Sequence, residues 1–215
     1  MRLPVLTPVF VCLCAAAASA QTTPPATSKS ASAGPAPWAY TFNMSGTLVA
    51  HGTDFGSPTF TADHNWTHLE GRYNYEGIHT GSLWIGYDFN LGKTLTLAAT
   101  PMLGGVFGHF DGIAPGLEFT LTYKKLQLFS SNEYIFDTNS RDGDFFYTWT
   151  QLTYAPRPWV QLGCAIQHTR AYQTSVDVQR GILIGFTYKR FNYSTTFFNF
   201  GFTDPTINLS LTYSF

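Results

Sequence analysis

The sequence predicts an all-β fold, a closed antiparallel transmembrane β-barrel of about twelve strands. Three observations lead there. From Trp38 to Phe215 apolar and polar residues alternate with a period of two, and no helical spacing interrupts them. Charged residues make up 12% of the chain and aromatic residues 17%, whereas soluble domains carry roughly 25% charge. No apolar run in the chain after residue 20 reaches the ~18 residues that a spanning helix needs.

The C-terminal strand shows the pattern most plainly. In "TINLSLTYSF" one face carries Ile207, Leu209, Leu211, Tyr213 and Phe215, and the other Thr206, Asn208, Ser210, Thr212 and Ser214. Similar runs fall near 40–50, 57–63, 66–76, 79–90, 94–103, 115–123, 126–136, 144–155, 159–169, 179–188 and 191–201. Most approach the ~9–11 residues of a tilted membrane strand. The 57–63 run is the least regular; the alternative is ten strands, with residues 38–63 partly outside the wall.

Residues 1–20 read as a secretory signal: Arg2, an apolar run, and Ala18-Ser19-Ala20 before Gln21. Cys12 and Cys14 fall inside it, which leaves Cys164 without an intrachain partner and excludes a disulfide-stapled scaffold. Residues 21–37, "QTTPPATSKSASAGPAP", are too poor in apolar side chains to offset their ordering entropy and read as a disordered periplasmic tail. The barrel domain is then 38–215.

Connections alternate in length. Tight turns are expected at 63–65, 90–93, 124–125, 155–158 and 189–190, and longer or more polar ones at 51–56, 103–114, 137–143 and 170–178. Short turns on the periplasmic side and longer loops outside are the barrel pattern, and both termini then lie on the short-turn side. Charge agrees with this division. Lys93, Lys124, Lys125, Arg157, Lys189 and Arg190 gather at the tight turns, with Asp63 the main acid there, whereas Asp54, Glu76, Asp111, Asp137, Asp142, Asp144, Asp177 and Asp204 fall at the other end with Arg141, Arg170 and Arg180.

Tyr213-Ser214-Phe215, with its alternation back to Ile207, resembles the C-terminal insertion signal of bacterial outer-membrane β-barrel proteins. "TPMLGGVFG", "EYIFDT", "FFYTW" and "GFTYKR" are similar to blocks of bacterial barrels with no assigned activity. The resemblance implies outer-membrane localisation, contact with outer-membrane lipid, and delivery to barrel-assembly machinery through the last strand, with Tyr213 and Phe215 as the signal.

The inward faces carry the candidate site. "THLEGRYNYE" places His68, Glu70, Arg72, Asn74 and Glu76 on one face, and Leu69, Tyr73 and Tyr75 toward lipid. Asp88, Glu118 and Glu133 have matching inward parity. These eight residues either line a pore for small solutes or cations, or form a charge network that closes the bore together with Trp84 and Phe129. The first reading is a porin-like passive channel and the second a non-conducting structural or binding barrel.

Other chemistries find less footing. "GYDFNLGKT" has five residues between Gly86 and Gly92 where a phosphate loop has four, and a strand rather than a helix follows. His64 and His68 flank a turn, so their spacing is not that of a metal pair on a helix; no metal, cofactor or catalytic set is expected. A net charge of −1 offers nothing to nucleic acid. A lipid-modifying enzyme would need a base at the rim, where His168 is the one candidate, with no serine signature beside it. Sequons at Asn43, Asn65, Asn192 and Asn208 arise from polar alternation. The glycine-rich 104–112 segment is expected to be the largest loop, a candidate constriction if it folds inward.

Overall fold

The computed structural model describes residues 37–139, 143–168, 178–201 and 205–215. The expected signal and nearly all of the expected tail lie outside them, as do Arg141, Asp142, Arg170, Asp177 and Asp204.

Thirteen strands follow one another: β1 (Ala39–Val49), β2 (Phe55–His64), β3 (Thr67–Tyr73), β4 (Thr80–Tyr87), β5 (Phe89–Gly92), β6 (Leu95–Gly108), β7 (Gly112–Tyr123), β8 (Leu126–Asp137), β9 (Phe145–Arg157), β10 (Val160–His168), β11 (Gln179–Tyr188), β12 (Phe191–Phe198) and β13 (Thr206–Ser214). Each pairs antiparallel with its neighbours, and β1 pairs with β13 to close the sheet. β4 and β5 are two halves of one wall strand. Both pair with β6 in a single register, Gly86 opposite Met102 and Phe89 opposite Ala99. The wall therefore has twelve strands. The irregular 57–63 run belongs to it, since β2 pairs with both β1 and β3.

Closure removes every sheet edge, which matters where hydrocarbon offers backbone groups no partner. The seam is held inside as well. Asn43 Nδ2 donates to Ser210 Oγ and to Thr212 Oγ1, both at 2.7 Å, and Asn208 Nδ2 to Thr47 Oγ1 at 3.1 Å.

Five tight connections occupy the end that carries both termini. Asn65, Lys124 and Lys189 take left-handed backbone angles there, the twist that short hairpins need. Gly92 does so by necessity, because a Cβ would lie 1.9 Å from the Leu95 carbonyl oxygen. Lys124 and Lys189 extend over the rings of Tyr123 and Tyr188. The sequence-derived turn end and its basic charge are thus placed together.

The outer face is apolar: Leu83, Ile85, Leu103, Ile113, Ile182 and Phe186 are exposed. Trp66, Tyr87, Tyr123, Trp159, Tyr188 and Phe215 ring the short-turn end, and Tyr73, Phe107, Phe136 and Phe146 stand near the other, as interfacial aromatics do. One patch departs from this. On β8 and β9 Ser130, Asn132, Thr148 and Thr150 face outward but bond one another: Ser130 to Thr150 at 2.7 Å, Asn132 to Ser130 at 2.8 Å and Thr148 to Asn132 at 2.9 Å.

The expected large loop at 103–114 is instead strand. β6 runs to Gly108, β7 starts at Gly112, and only 109–111 connect them. The glycines serve close approach rather than looseness. A Cβ on Gly104 would sit 2.4 Å from the Trp84 ring, and one on Gly112 2.8 Å from the Phe136 carbonyl oxygen. The 104–112 segment therefore supplies no constriction loop.

Candidate functional site

Alternation on β3 turns His68, Glu70 and Arg72 into the barrel, all three buried. Arg72 is the hub. Its Nε and Nη2 donate to Glu70 Oε1 and Oε2 at 2.8 and 2.9 Å, a two-pronged pair on adjacent inward positions of one strand. Nη1 donates to Glu133 on β8 at 2.8 Å, and Nη2 to Glu118 on β7 at 3.2 Å. Glu76 Oε1 lies 3.5 Å from Nη1. The guanidinium also sits 4.5 Å from the Tyr75 ring centre and 4.7 Å from that of Trp84. Four carboxylates thus surround one buried cation, and aromatic rings keep water from it.

The remaining acceptors are only partly met. Ser82 Oγ donates to Glu76 Oε1 at 2.6 Å and Ser131 Oγ to Glu118 Oε1 at 2.9 Å. Glu76 Oε2 and Glu133 Oε1 are buried without a hydrogen-bond partner among the described residues.

Asn74, Tyr75 and Glu76 differ from the expected ladder. β3 ends at Tyr73, and Asn74 has a φ of 54°. Its side chain ties three segments, accepting from His79 N at 2.7 Å and donating to Gly56 O at 2.9 Å, while Ser57 Oγ donates to Asn74 O at 2.8 Å. The chain folds inward there, which carries Glu76 to full burial and turns Tyr75 to the interior against Tyr147. Tyr75 is therefore not lipid-facing, and Glu76 belongs to the plug rather than the outer rim. The inward-folded connection is 74–79, a short one. Its length gave no sign of this; the Asn74 left-handed turn did not register against uninterrupted alternation.

One half of the bore is filled. Trp84, Met102, Val106, Ala114, Ile135, Phe145 and Tyr147 form a buried cluster beside the charges. Across the bore lies a cavity of about 350 Å³. It is lined by Asn43, Ser45 and Thr47 of β1, by Asn208, Ser210 and Thr212 of β13, by Asn192 and Ser194, and by Gln127, Gln151 and Gln161. Phe129, Tyr75, Tyr147 and Trp149 contribute aromatic surface, and Glu70 and Glu118 are its charged residues. Glu118 is the more open of the two, with 23% of its side chain exposed against 5% for Glu70. Phe129 thus borders the cavity, whereas Trp84 is part of the fill. From Asn43 to Thr47 the lining follows the barrel wall for ~13 Å.

His68 and Asp88 lie apart from the hub, toward the short-turn end. His68 Nδ1 is 2.6 Å from Asp63 Oδ1, its Nε2 is 3.3 Å from Glu70 Oε2, and Asp88 accepts from Thr100 Oγ1 at 2.6 Å. Asp63, which sequence reasoning assigned to a turn, is an inward residue of β2. His168 faces outward, its Nδ1 2.7 Å from Phe146 O. Among the described residues no serine or carboxylate bonds to it.

No family model matches the chain, and no curated protein matches it. Solved structures do match in fold. The KdgM porin in complex with disordered oligogalacturonate superposes with a TM-score of 0.59 at 10% identity, covering 81% of this chain and 99% of that one. A second KdgM porin structure gives 0.58 at 11% identity over 81% and 99%. The NanC porin gives 0.53 at 8% identity over 80% and 98%. The chain shares the fold of these porins along nearly their whole length.

Proposed function

We propose that the chain is a passive outer-membrane channel for small hydrophilic solutes, uncharged or cationic, which pass along one side of a half-filled barrel. The observation that carries this is the cavity between β1, β13, β12 and β9. Its wall is amide and hydroxyl, able to exchange hydrogen bonds with water or a hydroxylated solute without holding either. The likeness in fold to KdgM and NanC supports a conducting barrel. Arg72, the buried cation inside, is consumed by its carboxylates, and the charge left facing the cavity is acidic. An anionic solute such as the oligogalacturonate in the KdgM complex would find no cation exposed there among the described residues.

Purified protein in planar bilayers tests this. Steps of conductance with a reversal potential favouring cations are expected. Silent bilayers with correctly folded protein would instead support the second reading, a non-conducting barrel closed by the Arg72 network and the inward 74–79 connection. A lipid-modifying activity draws no support from the surroundings of His168.

A further inference from the structure

We propose that Asp63, His68 and Asp88 form a binding site for one divalent transition-metal ion, on the inner wall near the short-turn end. The three ligand atoms, one from each residue, all lie within 4.8 Å of one another. Metal–ligand distances of ~2.1 Å require such atoms to stand roughly 3–3.5 Å apart. Asp63 and His68, now at 2.6 Å, need to part slightly, and the 4.8 Å span of the set to tighten.

The strand register brings the three residues side by side. Asp63 and His68 are directly opposed on β2 and β3, and His68 opposes Gly86 on β4, two residues before Asp88. Gly86 keeps the space between His68 and Thr100 clear. A Cβ there would stand 3.3 Å from His68 Cβ and 2.7 Å from Thr100 Cγ2, occupying the space between them. The chain is anchored just beyond it, where Asp88 N donates to Trp66 O at 2.8 Å.

The groups behind the ligands suit a metal as well. With Nδ1 given to the ion, His68 Nε2–H points to Glu70 Oε2 at 3.3 Å, and that oxygen is fixed by Arg72 Nη2 at 2.9 Å. A ligating histidine is ordinarily held through its second nitrogen by a carboxylate in this way, which sets the tautomer. Asp88 is oriented by the Thr100 hydroxyl at 2.6 Å. One imidazole and two carboxylates favour zinc or a neighbouring first-row ion over magnesium or calcium, which prefer oxygen throughout. Asp63 keeps 39% of its side chain exposed, so an ion has a path from the short-turn mouth and water completes its coordination.

Isothermal titration of untagged, chelator-stripped protein in detergent with zinc chloride tests the site. One ion per barrel is expected, undisturbed by millimolar calcium or magnesium. Asp88→Asn and His68→Ala should each weaken it at least tenfold, whereas His64→Ala, which removes an outward ring stacked on Trp38, should leave it unchanged. Asp88→Asn keeps the Thr100 contact and guards against a His68 variant that fails to fold. No zinc binding by the wild type, or binding equal in wild type and Asp88→Asn, would overturn the proposal.

Discussion

Arg72 Nη1 and Glu133 Oε2 meet at 2.8 Å although they lie on β3 and β8, strands that are not neighbours in the wall. The bond ties two sides of the barrel through its interior. It also makes Arg72 the shared counter-charge of four inward carboxylates, with His68 beside Glu70. Removing it is therefore more costly than the loss of any one carboxylate.

Arg72→Ala should destabilise the folded barrel by about 3–5 kcal/mol, the usual cost of breaking a buried pair from one side. Arg72→Ala combined with Glu133→Gln should recover part of that, because one uncompensated charge disappears. Urea unfolding in lipid vesicles measures both. A single-variant loss below about 1 kcal/mol would mean that water already solvates the cluster.

Trp84 and Gly104 are a matched pair. The indole occupies the place of the missing side chain, with atoms 2.4–2.6 Å from where a Cβ would stand. Gly104→Val should thus cost at least the ~1–3 kcal/mol of an overpacked core. Trp84→Ala in the same chain should relieve much of it, giving a non-additive cycle. The single Trp84→Ala variant should raise channel conductance, since it vacates the filled half of the bore.

Glu118 is the most exposed of the four carboxylates around Arg72. Glu118→Gln should reduce cation preference, read as a reversal-potential shift toward zero under a salt gradient. Salt should weaken the wild-type preference, since the carboxylate lies within reach of mobile ions. An unchanged reversal potential would place the ion path elsewhere.

Strand positions were legible because membrane strands satisfy two different solvents at once, and each leaves its mark every second residue. β2 was harder to read, since "FGSPTFTADH" carries few large apolar groups; its pairing with β1 and β3 supplies what its side chains do not. Glycine misled at 104–112, where it makes room for Trp84 and for close strand approach rather than a loop. Inward parity placed His68, Glu70, Arg72, Asp88, Glu118 and Glu133 inside the barrel. A network of Arg72 with carboxylates across the bore is one of the two readings that parity allows; which carboxylates it gathers depends on distances across the bore, which alternation does not carry. Alternation also continued through Asn74–Glu76 although the backbone reverses there, so Tyr75 was assigned to the wrong side.

The outward patch on β8 and β9 carries its own prediction. Asn132 both donates to Ser130 and accepts from Thr148. Asn132→Ala removes the acceptor of the Thr148 hydroxyl and one of the two partners of Ser130, which keeps Thr150, on a lipid-facing wall, and should cost about 1–2 kcal/mol. Replacing all four residues by Ala, Leu, Val and Val should be near neutral, because no polar group is then stranded. Comparing urea midpoints of the two variants distinguishes a self-satisfied patch from one that needs a partner: if the fourfold variant is the worse of the two, the patch contacts another chain.

The last strand closes the barrel and carries the expected assembly signal. Phe215 N donates to Tyr40 O at 3.0 Å, and its ring stands edge-on to Tyr213 at 4.8 Å, which in turn packs on Phe191 at the same distance. Phe215 is nevertheless 60% exposed, so its ring makes few contacts within the finished barrel. Phe215→Ala should therefore lower final stability by no more than about 1–2 kcal/mol, the share of its contacts with the interface, yet slow assembly in cells severalfold if the ring is read by the assembly machinery. Pulse-chase measurement of the heat-modifiable folded form separates the two effects. Normal assembly with reduced stability would assign Phe215 to the closing seam alone. Delayed assembly with an unchanged unfolding midpoint would assign it to recognition.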